Sequence, residues 1–299
     1  MLTNIESLLK LNSTIVENEL TKYMTAYHGY GLKETMSYSL LMGGKRIRPF
    51  IVIETYKAFS GESSDIKKAL PFACALEMIH TYSLIHDDLP CMDNDEYRRG
   101  KLTSHMVYGE NKALLTGDAL LTFAFEVLSC NDMVSDTSIK FATQVLSKCS
   151  GQMGMAGGQM LDLESGNNIK SYDELKKMHE LKTSALIKAA VLLGYFAYTD
   201  KLDESVAKLL ITYATNIGIA FQIRDDILDI ISSNEVLGKN IGSDFKNGKK
   251  TTLSFMSLEE AQKQVEVLTD NAIRAIDKCL GENGRALKEL AYYLVGREN

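Results

Sequence analysis

Only three prolines, Pro49, Pro71 and Pro90, occur in 299 residues. Proline lacks a backbone donor and its ring clashes with the preceding turn, so a chain that nearly omits it is free to run in long helices. Ala, Leu, Lys, Glu, Met and Ile are abundant, and these side chains are frequent in helices. A fold of many short strands with frequent turns is a poor match to this usage. Apolar residues at helical spacing predict helices near residues 4–26, 33–42, 47–60, 65–86, 111–130, 134–160, 172–198, 203–232, 256–281 and 284–296. From Asp65 to His86 the apolar positions cover more than half of the helix surface, as expected for a central helix enclosed by neighbours. Loops are expected at 61–64, 90–109, 165–170 and 232–250, where Gly, Asn and Ser gather. No Gly/Ser-rich or Pro-rich linker and no repeat of solenoid length divides the chain, so the expectation is one all-α domain over residues 1–299.

Charge and cysteine usage narrow the function classes. A net charge of -6 argues against general affinity for nucleic acid or an anionic membrane, since phosphate polymers are held by a basic excess. Any phosphate site must be local. The five cysteines are scattered, odd in number and without CxxC spacing, which indicates reduced thiols and a cytoplasmic protein rather than a disulfide framework or zinc knuckle. The N-terminus reads as an amphipathic first helix, not a signal peptide. The apolar run from Ala185 to Tyr198 contains Lys188 and Gly194 and is too short to span a bilayer, so no stable membrane insertion is expected.

Two acid clusters stand out against this background. In "RDDILD", Asp225 and Asp229 are four residues apart and share a helix face, with Asp226 beside them. Like charges at that spacing repel, and hard divalent cations such as Mg²⁺ offset this by binding carboxylate oxygens. One such motif alone could equally be a solvated acidic face. A second, "DDLPCMD", places Asp87, Asp88 and Asp93 directly after another apolar helix. Asp87 and Asp93 are six residues apart, about 240° round a regular helix, so a straight helix could not aim both at one point. Pro90 resolves this by ending the helix and letting the chain bring Asp93 back towards Asp87. Asp95 and Glu96, further on, read as solvated loop acids.

Basic groups alternate with the acids along the chain. "GGKRIRP" supplies Lys45, Arg46 and Arg48 after two glycines, "RRG" supplies Arg98 and Arg99, and "LGKNIGSDFKNGKKT" supplies Lys239, Lys246, Lys249 and Lys250. Guanidinium forks suit diphosphate oxygens, and the alternation suits a Mg²⁺–diphosphate ligand. His80 lies two turns before Asp87 on the same face, where an isolated histidine is more often a core residue. Lys182, beside Thr183, would by itself read as surface.

In this order, "GGKRIRP", "IHTYSLIHDDLPCMDNDEYRRG", "GDALL", "GGQMLDL", "KTSALI", "FQIRDDILD" and "GKNIGSDFKNGKKT" resemble the trans-prenyltransferase family, the class I isoprenyl diphosphate synthases, and most closely its bacterial farnesyl diphosphate synthases. The resemblance covers nearly the whole chain. It implies an orthogonal helical bundle around a central cavity, the class I isoprenoid synthase fold. It also implies three Mg²⁺ ions, with Mn²⁺ able to substitute, held by Asp87, Asp88, Asp93 and chiefly Asp225, with Asp226 and Asp229 in support. Isopentenyl diphosphate would meet Lys45, Arg48, His80 and Arg99. The allylic partner, dimethylallyl or geranyl diphosphate, would meet Arg98, Lys182, Thr183, Gln222, Lys239 and Lys249. Tyr82 and Ser83, the fifth and fourth residues before the first cluster, would line the tail pocket, and the aromatic at the fifth position resembles enzymes that stop at fifteen carbons. The family is usually homodimeric. A geranylgeranyl synthase is the near alternative. A non-catalytic regulatory subunit is disfavoured by the completeness of both clusters, and a terpene cyclase by the second diphosphate set.

Overall fold

The computed structural model describes residues 4–26, 30–165, 168–237 and 250–296. The described chain is almost wholly helical, as the proline scarcity permits. Its helices are α1 (Asn4–Ala26), α2 (Leu32–Leu40), α3 (Ile47–Ser60), α4 (Leu70–Asp87), α5 (Ser104–Tyr108), α6 (Glu110–Ser129), α7 (Asp136–Ser150), α8 (Met155–Ser165), α9 (Tyr172–His179), α10 (Ala185–Tyr198), α11 (Glu204–Leu237), α12 (Leu258–Leu280) and α13 (Arg285–Val295). Packing gathers the residues into two compact units, Met1–Val145 with Leu193–Lys201, and Leu146–Leu192 with Leu202–Asn299.

Four elements differ from the sequence expectation, one being α11, which runs on to Leu237 and into the loop expected at 232–250. The helix expected from residue 65 begins at Leu70, because Pro71 suits a first turn and not a helix interior. Asp65 instead caps a separate 3-10 turn, Ile66–Lys68, by accepting the Lys67 amide at 3.0 Å. The helix expected over 134–160 is broken between Ser150 and Met155, where Gly151 and Gly154 let the chain turn. The loop expected at 90–109 holds a hairpin, β1 (Tyr97–Arg98) paired antiparallel with β2 (Lys101–Leu102), and then α5. Its two turn residues, Arg99 and Gly100, both have positive φ, 52° and 75°, as a tight hairpin of matching twist requires.

In the first unit, α3 buries Phe50, Ile51, Val52 and Ile53 in succession, so it is covered on all sides. It packs on α4, whose Phe72, Leu76, Met78 and Ile79 are fully buried. Each such side chain contributes about 1.5–3 kcal/mol relative to exposure. In the second unit α11 lies along α12, with Ile219, Ile223 and Ile227 on one stripe against Ala261, Val265 and Leu268. The Tyr213 hydroxyl donates to the Leu287 carbonyl at 2.8 Å and ties α11 to α13.

Helices α9 and α10 are joined without interruption by a π-turn, Glu180–Ser184, into one helix from Tyr172 to Tyr198. Its length and composition would allow it to cross a membrane, but 72% of its apolar window is buried inside the protein, the pattern of a core helix. His179, at the end of α9, is buried, and burial holds its imidazole down at about 4; Lys182 adds to this and Asp162 opposes it. The folded chain therefore binds this proton less readily than the unfolded chain, whose histidine titrates near 6.5. The contribution of a neutral His179 to stability is complete above that value and is lost as pH falls towards 4. Between pH 7 and 4 the unfolding free energy is expected to drop by about 3 kcal/mol more in the wild type than in His179→Gln, as read from urea titrations across that range.

Candidate active site

The chain reverses direction after the first two acids, as the position of Pro90 predicted. α4 ends at Asp87, and the chain folds back so that the Asp93 amide donates to the Asp87 carbonyl at 2.9 Å. The Met92 and Asn94 amides both reach the Leu89 carbonyl, at 2.8 and 3.1 Å, and Asn94 takes the left-handed conformation, φ 54°, that the reversal needs. Asp88 is buried, and Arg98 of β1 donates from Nε to its Oδ1 at 2.6 Å while reaching Asp95 at 3.2 Å. Burial raises the Asp88 carboxyl pKa above the usual range, against the lowering effect of Arg98. The ionised carboxylate is thus held at a cost in the folded chain, and added positive charge would relieve it.

The basic residues of the first unit divide into two groups. Arg48 at the start of α3 lies 3.2 Å, Nη1 to Nε2, from His80 on α4. Burial, and then the charges of Arg48 and Arg99, push the His80 imidazole well below its ordinary pKa, so the ring is neutral and accepts from Arg48. Arg99, in the hairpin turn, donates to the Gly43 carbonyl. A Cβ at Gly44 would stand 2.7 Å from the Arg99 guanidinium carbon, so the glycine makes room for this cation. The hairpin therefore brings "RRG" onto "GGKRIRP", near the residue that contacts His80. Lys45 is exposed on the same loop. Arg46, grouped with the phosphate-suited cations by sequence, points inward instead: its Nη1 meets Glu77 of α4 at 2.6 Å and its Nη2 the Leu40 carbonyl at 2.7 Å, both side chains being buried. It fastens the loop to α4.

In the second unit the π-turn carries Lys182 and Thr183. Lys182 Nζ contacts Asp162 of α8 at 2.6 Å. The backbone of Lys182 passes so close to Gly158 that a Cβ there would overlap it. Thr183 Oγ1 donates to Gln222 Oε1 at 3.2 Å, and Gln222 Nε2 donates in turn to Asp226 Oδ1 at 3.4 Å. The second oxygen of Asp226 accepts the Thr252 amide at 2.8 Å, which pins the 3-10 turn Thr252–Ser254 to α11. Burial raises the Asp226 pKa, and the Thr252 hydrogen bonds oppose the rise. Asp225 is half-buried and Asp229 exposed on the same helix. Lys239, Lys246 and Lys249 lie outside the described residues.

Asp162 and Gly158, both in "GGQMLDL", and the pair Arg46–Glu77 were not singled out by the sequence reading. For the first two a signal was present: Gly and Asp four apart on one face of a helix. Among the described residues no three His, Cys, Asp or Glu side chains converge on a single metal position. The donor chemistry nonetheless fits a hard cation, since Asp88 and Asp226 offer buried carboxylate oxygens whose pKa values are raised by desolvation.

Residues 30–290 match the polyprenyl synthetase family model. The chain belongs to that family. It is 43% identical over 299 residues to a geranylgeranyl diphosphate synthase of Cyanophora paradoxa, covering 99% of this chain and 97% of the relative. It is 41% identical over 280 residues to the farnesyl diphosphate synthase of Bacillus subtilis, covering 92% and 93%. Among solved structures, an FPP/GFPP synthase from Zymomonas mobilis superposes with a TM-score of 0.85 at 33% identity, covering 98% and 99%. The all-α fold is that of the isoprenyl synthases, and the protein is a prenyltransferase. As a prenyltransferase it needs anion-binding and carboxylate groups more than a nucleophile, and no Ser-His-Asp or Cys-His pairing forms among the hydrogen bonds just described.

Proposed function

We propose that this prenyltransferase joins isopentenyl diphosphate head to tail with dimethylallyl and then geranyl diphosphate and releases farnesyl diphosphate. The observation that carries the reading is the closed loop after α4, where Arg98 is fixed on Asp88 within one turn of the Asp87–Asp93 hydrogen bond. A diphosphate-seeking guanidinium held on a carboxylate oxygen beside the Asp87–Asp93 reversal supports this reading. Asp87, Asp88, Asp93, Asp225, Asp226 and Asp229 would hold Mg²⁺, and the bound cation would supply charge neutralisation for the leaving diphosphate. Lys45, Arg48, His80 and Arg99 would bind isopentenyl diphosphate. Arg98, Lys182, Thr183 and Gln222, with Lys239 and Lys249, would bind the allylic diphosphate.

The allylic C–O bond breaks heterolytically, and the diphosphate takes the electron pair. The double bond of isopentenyl diphosphate attacks the allylic cation to form the new C–C bond, and a proton leaves to the released diphosphate. The protein's part is to orient both substrates, stabilise the departing charge and keep water out. The free state of all five cysteines supports a cytoplasmic location. Exposed Leu114 and Leu115 of α6, with Met106 and Val107 of α5, support a homodimer, since such apolar surface is commonly covered by a partner.

Tyr82 is half-buried on α4, just over one turn before Asp87, and is assigned as the stop for the growing tail. Tyr82→Ala is expected to move the main product from fifteen to twenty carbons or beyond, read by separating products by carbon number. An unchanged spectrum removes Tyr82 as the stop. The identity with the Cyanophora paradoxa enzyme favours a geranylgeranyl product as the second reading, and the same separation on the wild type decides between the two.

A further inference from the structure

The residue before the first acid cluster is held by contacts that the reaction does not explain. His86 is on α4, four residues after Tyr82 and therefore beside it on the helix surface. The two rings meet edge to face, centroids 5.7 Å apart and planes at 77°. On its other side the imidazole lies against α6: Nε2 is 3.0 Å from the Leu114 carbonyl, and 3.8 Å from Asp118. A carbonyl oxygen only accepts, so Nε2 carries a proton and donates to Leu114. Between these two anchors lies Gly117, where a Cβ would overlap the imidazole. A glycine inside a helix costs about 0.5–1 kcal/mol relative to alanine, and α6 carries one at the point where His86 enters.

We propose that His86, seated in the Gly117 notch of α6, fixes the ring of Tyr82 and so sets the length at which the product stops. His86 is a positioning residue in this proposal: it acts through Tyr82 and touches no reacting atom. The inference rests on Tyr82 being the stop. A tyrosine on a helix surface has more than one staggered rotamer open to it, and a stop that leaves its rotamer part of the time lets the tail grow past it. The edge-to-face contact and the hydrogen bond to Leu114 restrict that freedom from α6. The notch is what allows α6 to come close enough to do so.

The test is the product spectrum of Tyr82→Ala, His86→Ala, His86→Gln, Gly117→Ala and the double variant His86→Ala/Gly117→Ala, with thermal midpoints measured alongside. Loss of one aromatic contact and one hydrogen bond predicts a rise of roughly five- to thirty-fold in the share of products beyond fifteen carbons for His86→Ala. His86→Gln keeps an N–H donor for the Leu114 carbonyl and should fall between His86→Ala and the wild type. Gly117→Ala should change the spectrum when His86 is present and add nothing in the His86→Ala background, because the new methyl then has space. A shift with Tyr82→Ala but an unmoved spectrum in both His86→Ala and Gly117→Ala, whatever their midpoints, overturns the positioning role and leaves the stop standing. An unmoved spectrum in Tyr82→Ala overturns the stop itself.

Discussion

Replacing Asp87 by asparagine is expected to lower kcat by about a thousand-fold while leaving the thermal midpoint within about 2 °C of the wild type. Asparagine has the shape of aspartate, and the backbone carbonyl that receives the Asp93 amide is retained, so the loop after α4 should keep its fold. What is lost is one full negative charge where a divalent cation and a diphosphate are to be held. A thousand-fold corresponds to about 4 kcal/mol of transition-state stabilisation, within the range that removal of one electrostatic contact can reach. If the acids were only a solvated face, the same change would alter kcat less than about two-fold. Steady-state rates and a melting curve on one preparation separate the two cases.

Glu77→Ala should act in the opposite sense, on stability more than on chemistry. Arg46 and Glu77 are 2.6 Å apart with side chains only 1% and 2% exposed. Removing the carboxylate leaves a buried guanidinium with the Leu40 carbonyl and a longer contact to Glu17 at 3.4 Å. Breaking such a pair from one side costs about 3–5 kcal/mol, or a fall of roughly 10 °C in midpoint for a chain of this size. The double change Arg46→Met/Glu77→Leu removes both charges and should recover most of that loss, because an apolar pair of similar volume is often as stable. Differential scanning calorimetry of the single and double variants checks both statements. Failure of the double variant to recover would mean that Arg46 holds the loop by its contact with Leu40 rather than by its pairing with Glu77.

Much of this was legible in the residues. Scarce proline and helical spacing are properties of short windows, and they predicted the helices to within a few residues except where Pro71 or the Gly151–Gly154 turn intervened. The reversal at Pro90 was legible because six-residue spacing is incompatible with one helix face, and the Asp93 amide on the Asp87 carbonyl is its physical form. Other features depend on neighbours distant in sequence. Lys45, Arg46 and Arg48 look alike in "GGKRIRP", and only the buried Glu77, on another helix, shows that the middle one turns inward. The hairpin at Tyr97–Leu102 has strands of two residues, too short for any alternation to show. The π-turn under Lys182 arises where the chain passes Gly158 and has no periodic signature of its own. The seat of His86 likewise depends on Gly117, on another helix and thirty-one residues away.

The most direct test of the central claim is incorporation of isotope-labelled isopentenyl diphosphate into acid-labile product, with dimethylallyl diphosphate as starter, in the presence of Mg²⁺ and again after its chelation. The account predicts label in a fifteen-carbon product with Mg²⁺ and a loss of at least about a thousand-fold without it. Label incorporated equally in both conditions, or in neither with dimethylallyl or geranyl diphosphate as starter, would contradict it.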